Sequence, residues 1–263
     1  MTMQNFNTKT IREIALEYPQ TTRIFEEFKI DYCCGGRKPL DEACDAAGLD
    51  TKIVRQKIEN AIDGVEENGK SEFPEHKKPA ELADYIIEKH HVFTRNEIAR
   101  LTPLMEKVCR KHGEQHPELF DIQTAFRALA DELIVHMKKE EMVLFPFIKV
   151  LAAVVSTNLP IAEPHFKTVQ NPVRMMMSEH DAAGDFLRQM RGFSNDYTLP
   201  DGACPSFTAL YFGLEELEKD LHRHIHLENN VLFPRAVGLE QEVFGEIATK
   251  AAADYVCGQA NCS

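Results

Sequence analysis

Two stretches decide the fold: HMKKEEMVLFP at 136–146 and HIHLENNVLFP at 224–234. Both have the form H-x-x-x-E-x-x-V-L-F-P. On an α-helix, residues i and i+4 lie one turn apart on the same face. His136 with Glu140, and His224 with Glu228, therefore each point an imidazole and a carboxylate the same way. Leu144 and Leu232 continue those stripes, so each polar pair runs into apolar core. A buried ionised carboxylate is costly unless it is paired or coordinates a metal. Two such pairs on different helices predict a site inside a helical bundle.

The duplication extends upstream. His91 stands 45 residues before His136, and His180 stands 44 before His224. Each half then reads as a helix with one histidine, a loop, and a helix with H-x-x-x-E. Packed together, the halves converge four histidines and two glutamates. No thiolate shares the spacing, which argues against a sulfur-rich zinc site. Imidazole and carboxylate on bundle helices suit iron or manganese. Two glutamates among four histidines can bridge two metals. The first histidine stays open between His90 and His91, whose directions differ by about 100° on a helix.

Around these motifs the chain reads as all-α, because alternating β-branched runs are missing and the long segments have helical periodicity. Residues 1–65 form a small helical unit with helix starts at Thr10, Thr21, Leu40 and Thr51, and Cys33-Cys34-Gly35-Gly36 in a turn. Residues 66–79 have the composition of a linker. Four long helices follow at about 80–111, 118–152, 168–193 and 204–236, an antiparallel four-helix bundle. A shorter helix is expected over 240–255, so the bundle domain reads as 80–256 and 257–263 as a tail carrying Cys257 and Cys262.

The formal net charge of −12 argues against a nucleic-acid phosphate partner and an anionic membrane surface. The longest apolar stretch, 150–155, falls far short of the roughly 18 residues of a spanning helix. The N-terminal MTMQNFNTKTIRE has no apolar core of a signal peptide, so a cytoplasmic protein is expected. Seven cysteines without a C-x-x-C pair suggest neither a zinc ribbon nor a thioredoxin motif.

The strings DYIIEKHH (84–91), HMKKEEMVLFP (136–146), SEHDAAG (178–184) and HIHLENNVLFPRA (224–236) resemble the haemerythrin-like di-iron proteins of iron–sulfur cluster repair. YPQTTRIFEEFKIDYCCGG (18–36) resembles the small cysteine-containing domain that often precedes that bundle. The resemblance implies His91, His136, Glu140, His180, His224 and Glu228 as ligands of two oxo-bridged irons, with both glutamates bridging. It selects His91 over His90, because the ligand histidine follows I-I-x-x-x. It implies Glu132 and Glu179 as acidic partners beside the centre, and Cys33 and Cys34 as thiols for redox work or partner contact. It also implies a homodimer acting on iron–sulfur proteins damaged by oxidative or nitrosative stress, with nitric oxide or oxygen as small ligands. No catalytic residue is assigned. A di-iron nitric oxide reductase and a haemerythrin-type oxygen or nitric oxide sensor are the alternatives. Oxygen carriers of the family place a further histidine four residues after the third-helix ligand; here that position is Gly184, which weakens the carrier reading. Ferritin-like centres use paired E-x-x-H strings, whereas this chain has only Glu88 to His91, with Met177 at the matching place before His180.

Overall fold

The computed structural model describes residues 6, 9–33, 36–68, 73–157 and 164–245. Cys34, Cys257 and Cys262 lie outside them. Eight helices account for the described chain, and no strand occurs among the described residues. Four short helices come first: α1 (Ile11–Glu17), α2 (Thr22–Glu27), α3 (Leu40–Ala46) and α4 (Thr51–Asn68). Helix α1 begins where the sequence places it, because Thr10 and Glu13 form a capping box. Each side chain accepts from the other residue's backbone N–H, at 2.8 and 3.2 Å.

The bundle follows as α5 (79–112), α6 (118–157), α7 (170–193) and α8 (205–245). Helix α5 packs on α6 and α8, and α6 packs on α7. Pro79 and Pro205 occupy first turns, where a missing N–H costs nothing. The separate helix expected over 240–255 does not form among the described residues; α8 runs through to 245 without a break. Glu240, buried on that extension, accepts from the Val169 N–H at 2.7 Å and so fixes the start of α7.

Three of the four bundle helices contain one π-helical turn: Ile87–His91 in α5, Glu140–Leu144 in α6 and Leu227–Leu232 in α8. Phe145 N–H bonds the Glu140 carbonyl and Phe233 N–H bonds that of Glu228, five residues back in each case. The next residue is proline both times, with no N–H to offer an α-helical partner. The wider turn thus absorbs the proline that ends each V-L-F-P.

The bundle core is split in two. One apolar cluster holds Ile98 to Cys109, Leu119 to Met137, Ala183 to Met190 and Phe207 to Leu221. The other holds Leu82 to Ile86, Leu144 to Ile148, Val173 with Met176, and Leu227 to Ala236. The histidines and glutamates of the repeat stand where the two sets meet on each helix.

The N-terminal helices form a third core that docks on α8. Tyr32 is fully buried, with its ring edge-on to His226 at 5.2 Å. Asn230 donates to the Tyr32 carbonyl at 3.2 Å and contacts His226 Nδ1 at 2.9 Å. Within 66–79, α4 continues to Asn68 and Pro74–His76 form a 3-10 turn held by Arg235, which donates to the carbonyls of Glu75 and Lys77. Replacing Asn230 with Ala removes both of its contacts. We predict a loss of about 1–3 kcal/mol in denaturant unfolding, with bundle helicity retained.

Candidate metal centre

The structure brings all six repeat residues to one point in the layer between the two apolar clusters. His91, Glu140, His224 and Glu228 form one group, and His136, Glu140, His180 and Glu228 a second, with the donor atoms of each group within 4.8 Å of one another. Both glutamates belong to both groups. Glu140 turns Oε2 to His91 Nε2 and Oε1 to His136 Nε2, each at 3.4 Å. Glu228 turns Oε1 to His224 Nε2 at 2.9 Å and Oε2 to His180 Nε2 at 3.1 Å. Each carboxylate therefore divides its oxygens between the two groups.

The fit to metal rests on what these atoms lack. Glu140 and Glu228 are 0% exposed. Neither oxygen of Glu140, nor Oε2 of Glu228, has a donor in hydrogen-bonding geometry. The imidazole Nε2 atoms meet in pairs, 3.1 Å apart for His91 and His224 and 2.9 Å for His136 and His180. Two neutral Nε2 atoms without a proton between them would meet lone pair to lone pair, whereas two nitrogens about 2.1 Å from one ion, at right angles, stand about 3 Å apart; the spacing suits a shared ion or, in its absence, a shared proton.

The outer nitrogens are held by a second repeat. Glu141, directly after Glu140, takes His91 Nδ1 at 2.8 Å; Asn229, directly after Glu228, takes His180 Nδ1 at 2.9 Å. Glu179, directly before His180, takes His136 Nδ1 at 2.8 Å. His90, directly before His91, stands at the corresponding place beside His224, and the two rings stack at 5.6 Å and 9°. Such partners fix the ring orientation and tautomer of a ligand histidine. The phenylalanines of V-L-F-P close the layer: Phe145 stacks near His91 at 5.7 Å, and Phe233 near His180 at 6.1 Å.

The π turn of α5 accounts for the ambiguity between the adjacent histidines. It widens the helix there, and both His90 and His91 are buried. His91 enters the centre; His90 turns to Asp220, with Nδ1 3.0 Å from Oδ1. Glu132 is exposed and shows no hydrogen bond or ion pair with another described residue, while Glu179 and Glu141 reach the imidazoles. Cys33 is buried, with Sγ 3.2 Å from Asp31 Oδ1. It lines a gap of about 30 Å³ shared with Asp181 and Asn229. Gly184 lies buried on α7 and lines a cavity of about 160 Å³ that Cys33 also lines.

Residues 82–236 match the family model described as Hemerythrin HHE cation binding domain, and residues 7–62 match a domain of unknown function, DUF542. The chain is 32% identical over 233 residues to a probable iron-sulfur cluster repair protein of Haemophilus influenzae, covering 89% of this chain and 98% of the relative. It is 32% identical to the iron-sulfur cluster repair protein YtfE of Yersinia pestis over the same shares, and of Escherichia coli O8 over 89% and 99%. The chain belongs to the haemerythrin-type iron–sulfur cluster repair family. Membership of that family and the buried histidine–glutamate groups together make this a metal-binding, iron-type site. No helix among the described residues is long and apolar enough to cross a membrane.

For this family member the electrostatics set a proton against the metal. Burial pushes the His91 and His136 imidazoles down, but the adjacent carboxylates outweigh it and raise them to about 10 and about 9. Burial dominates at His224 and holds it below the ordinary value. In the metal-free chain, the charged His91 and His136 stabilise the fold fully below about 6.5. That contribution fades as pH rises through 9 to 10. A metal needs both rings neutral. We predict that loading at pH 7 releases about two protons per chain, measurable by pH-stat titration, and that affinity climbs with pH up to about 10. Changing Glu179 to Gln should weaken metal binding about 10- to 100-fold in chelator competition without unfolding the chain.

Proposed function

We propose that this chain holds two iron ions and uses them to help restore iron–sulfur clusters damaged by oxidative or nitrosative stress. One observation carries the reading: both buried glutamates are shared between two groups of four donors. In this reading His91 and His224 would hold one ion and His136 and His180 the other, with Glu140 and Glu228 shared between them; the oxo bridge is what the family resemblance implies. The relatives' names, which speak of iron–sulfur cluster repair, support the same activity.

When bound, iron supplies redox chemistry and a place for a small ligand such as nitric oxide or oxygen. The protein supplies the rest. Glu141, Glu179 and Asn229 hold the ring tautomers so that every Nε2 faces inward. Phe145 and Phe233 keep one side of the layer dry. By the family resemblance Gly184 stands where oxygen carriers have a further histidine ligand, so the reading includes a more open coordination position. Cys33, beside Asn229, and Cys34 are the thiols assigned to contact with the damaged acceptor or to redox work. The reading includes a cytoplasmic homodimer, with residues 1–65 and 80–256 as its two domains on either side of the linker 66–79.

A repair assay tests this. An iron–sulfur enzyme inactivated by peroxide or nitric oxide should recover in proportion to the iron-loaded protein added. The Glu140→Ala and Glu228→Ala variants should lose iron and give less than about a tenth of that recovery. Equal recovery with the variants, or with the same amount of free iron, would overturn the proposal. Nitrous oxide formed over many turnovers would move the assignment to a nitric oxide reductase.

A further inference from the structure

A second site lies on the far side of His90 from the metal layer. A cavity of about 540 Å³ separates the N-terminal helices, the Pro74–His76 turn and α8. Three buried side chains that line it each carry a polar atom with no partner among the described residues. They are Glu75 Oε2, His90 Nε2 and His226 Nε2, on residues 8%, 6% and 1% exposed. An unpartnered buried polar group costs free energy comparable to a lost hydrogen bond. Three around one space of this size mark a place built for a polar occupant.

The hydrogen bonds already made define what that occupant must offer. Asn230 Nδ2 contacts His226 Nδ1, so the neutral ring carries its proton on Nε2 and presents a donor. Arg23 and Arg223 also line the cavity and are exposed, with no hydrogen bond or ion pair to another described residue. These are donors and cations, matched to a carboxylate. His90 Nδ1 lies against the Asp220 carboxylate, so in the neutral ring Nδ1 carries the proton and Nε2 presents an acceptor. The Glu75 carboxyl presents a second acceptor, and burial pushes it up, an effect that a neighbouring cation would offset. These two are matched to an ammonium group. Tyr32, Phe73 and Tyr85 give the remaining wall an apolar, aromatic character. The turn bearing Glu75 is fixed by the two Arg235 hydrogen bonds, so this side of the cavity is preformed.

We infer that the cavity binds a small zwitterion of amino-acid to tripeptide size, its ammonium held by Glu75 and His90 and its carboxylate by Arg23, Arg223 and His226. An occupant bound to His90 stands one stacked ring from His224 and therefore beside the metal layer. The inference goes beyond cluster repair. The cavity is made by the fold and not by iron, so its test does not depend on the metal assignment.

The experiment is ligand-observed NMR with calorimetry on the full chain. The probes are the free L-amino acids and the tripeptide glutathione, each alone, with and without metal. At least one should bind with a Kd below about 1 mM. Glu75→Gln and Arg223→Ala should each weaken that binding by about tenfold or more. Neither residue belongs to the metal layer, so metal content and melting temperature serve as controls on the fold. Blocking the probe's amine by acetylation should abolish binding. If no probe binds, the cavity holds water only and the inference fails. It also fails if the variants bind as the parent does, or if the acetylated probe binds equally well.

Discussion

Two carboxylates with no access to water face each other at the centre of this bundle. Everything nearby is arranged around that cost. Burial drives Glu140 and Glu228 toward the protonated form and each raises the other's cost, yet the imidazoles around them hold both below the usual carboxylate range. Without a cation, the balance rests on protons carried by His91 and His136. With cations the same atoms become a neutral-imidazole, shared-carboxylate cage. Breaking such a buried arrangement by removing one partner is far more damaging than never having built it.

The two apolar clusters and the π turns follow from the same constraint. A polar layer in a bundle interior must be sealed above and below, and the chain does so with the ordinary heptad-like stripes of the four helices. The π turns sit at the layer and not elsewhere in the described bundle. They place a ligand and its immediate neighbour on the inside together, which a regular α-helix cannot do at about 100° per residue. This lets Glu141 and Asn229 steady the rings of adjacent helices from positions next to the bridging glutamates. The pseudo-twofold is broken at one corner. His136 has Glu179 as its partner, while His224 has the stacked ring of His90 and an unpartnered Nδ1.

The six central residues were legible because their spacing is a property of helices and because the spacing occurs twice. The bundle and its helix limits followed from apolar periodicity and from proline and glycine at the breaks. The choice between His90 and His91 was not legible from periodicity, since the local backbone departs from the period on which the argument rests. The family resemblance selected His91, which lies at the centre. Glu141 and Asn229 were missed as ring partners, although the repeat contained the signal: each directly follows a glutamate of the H-x-x-x-E pair. Glu132 shows the opposite case. It shares a turn spacing with His136, but its side of α6 faces outward, and one-turn spacing does not guarantee burial. The cavity beside His90 left no trace in sequence, because it is assembled from α5, α8, the N-terminal helices and the short turn between them.

The central claim is that two buried glutamates serve two metal ions in one chain. The most direct measurement is the iron content and Mössbauer spectrum of protein prepared without oxygen in iron-57. The account predicts two irons per chain in a single coupled pair. One metal per chain, a stoichiometric zinc, or two uncoupled irons would contradict it.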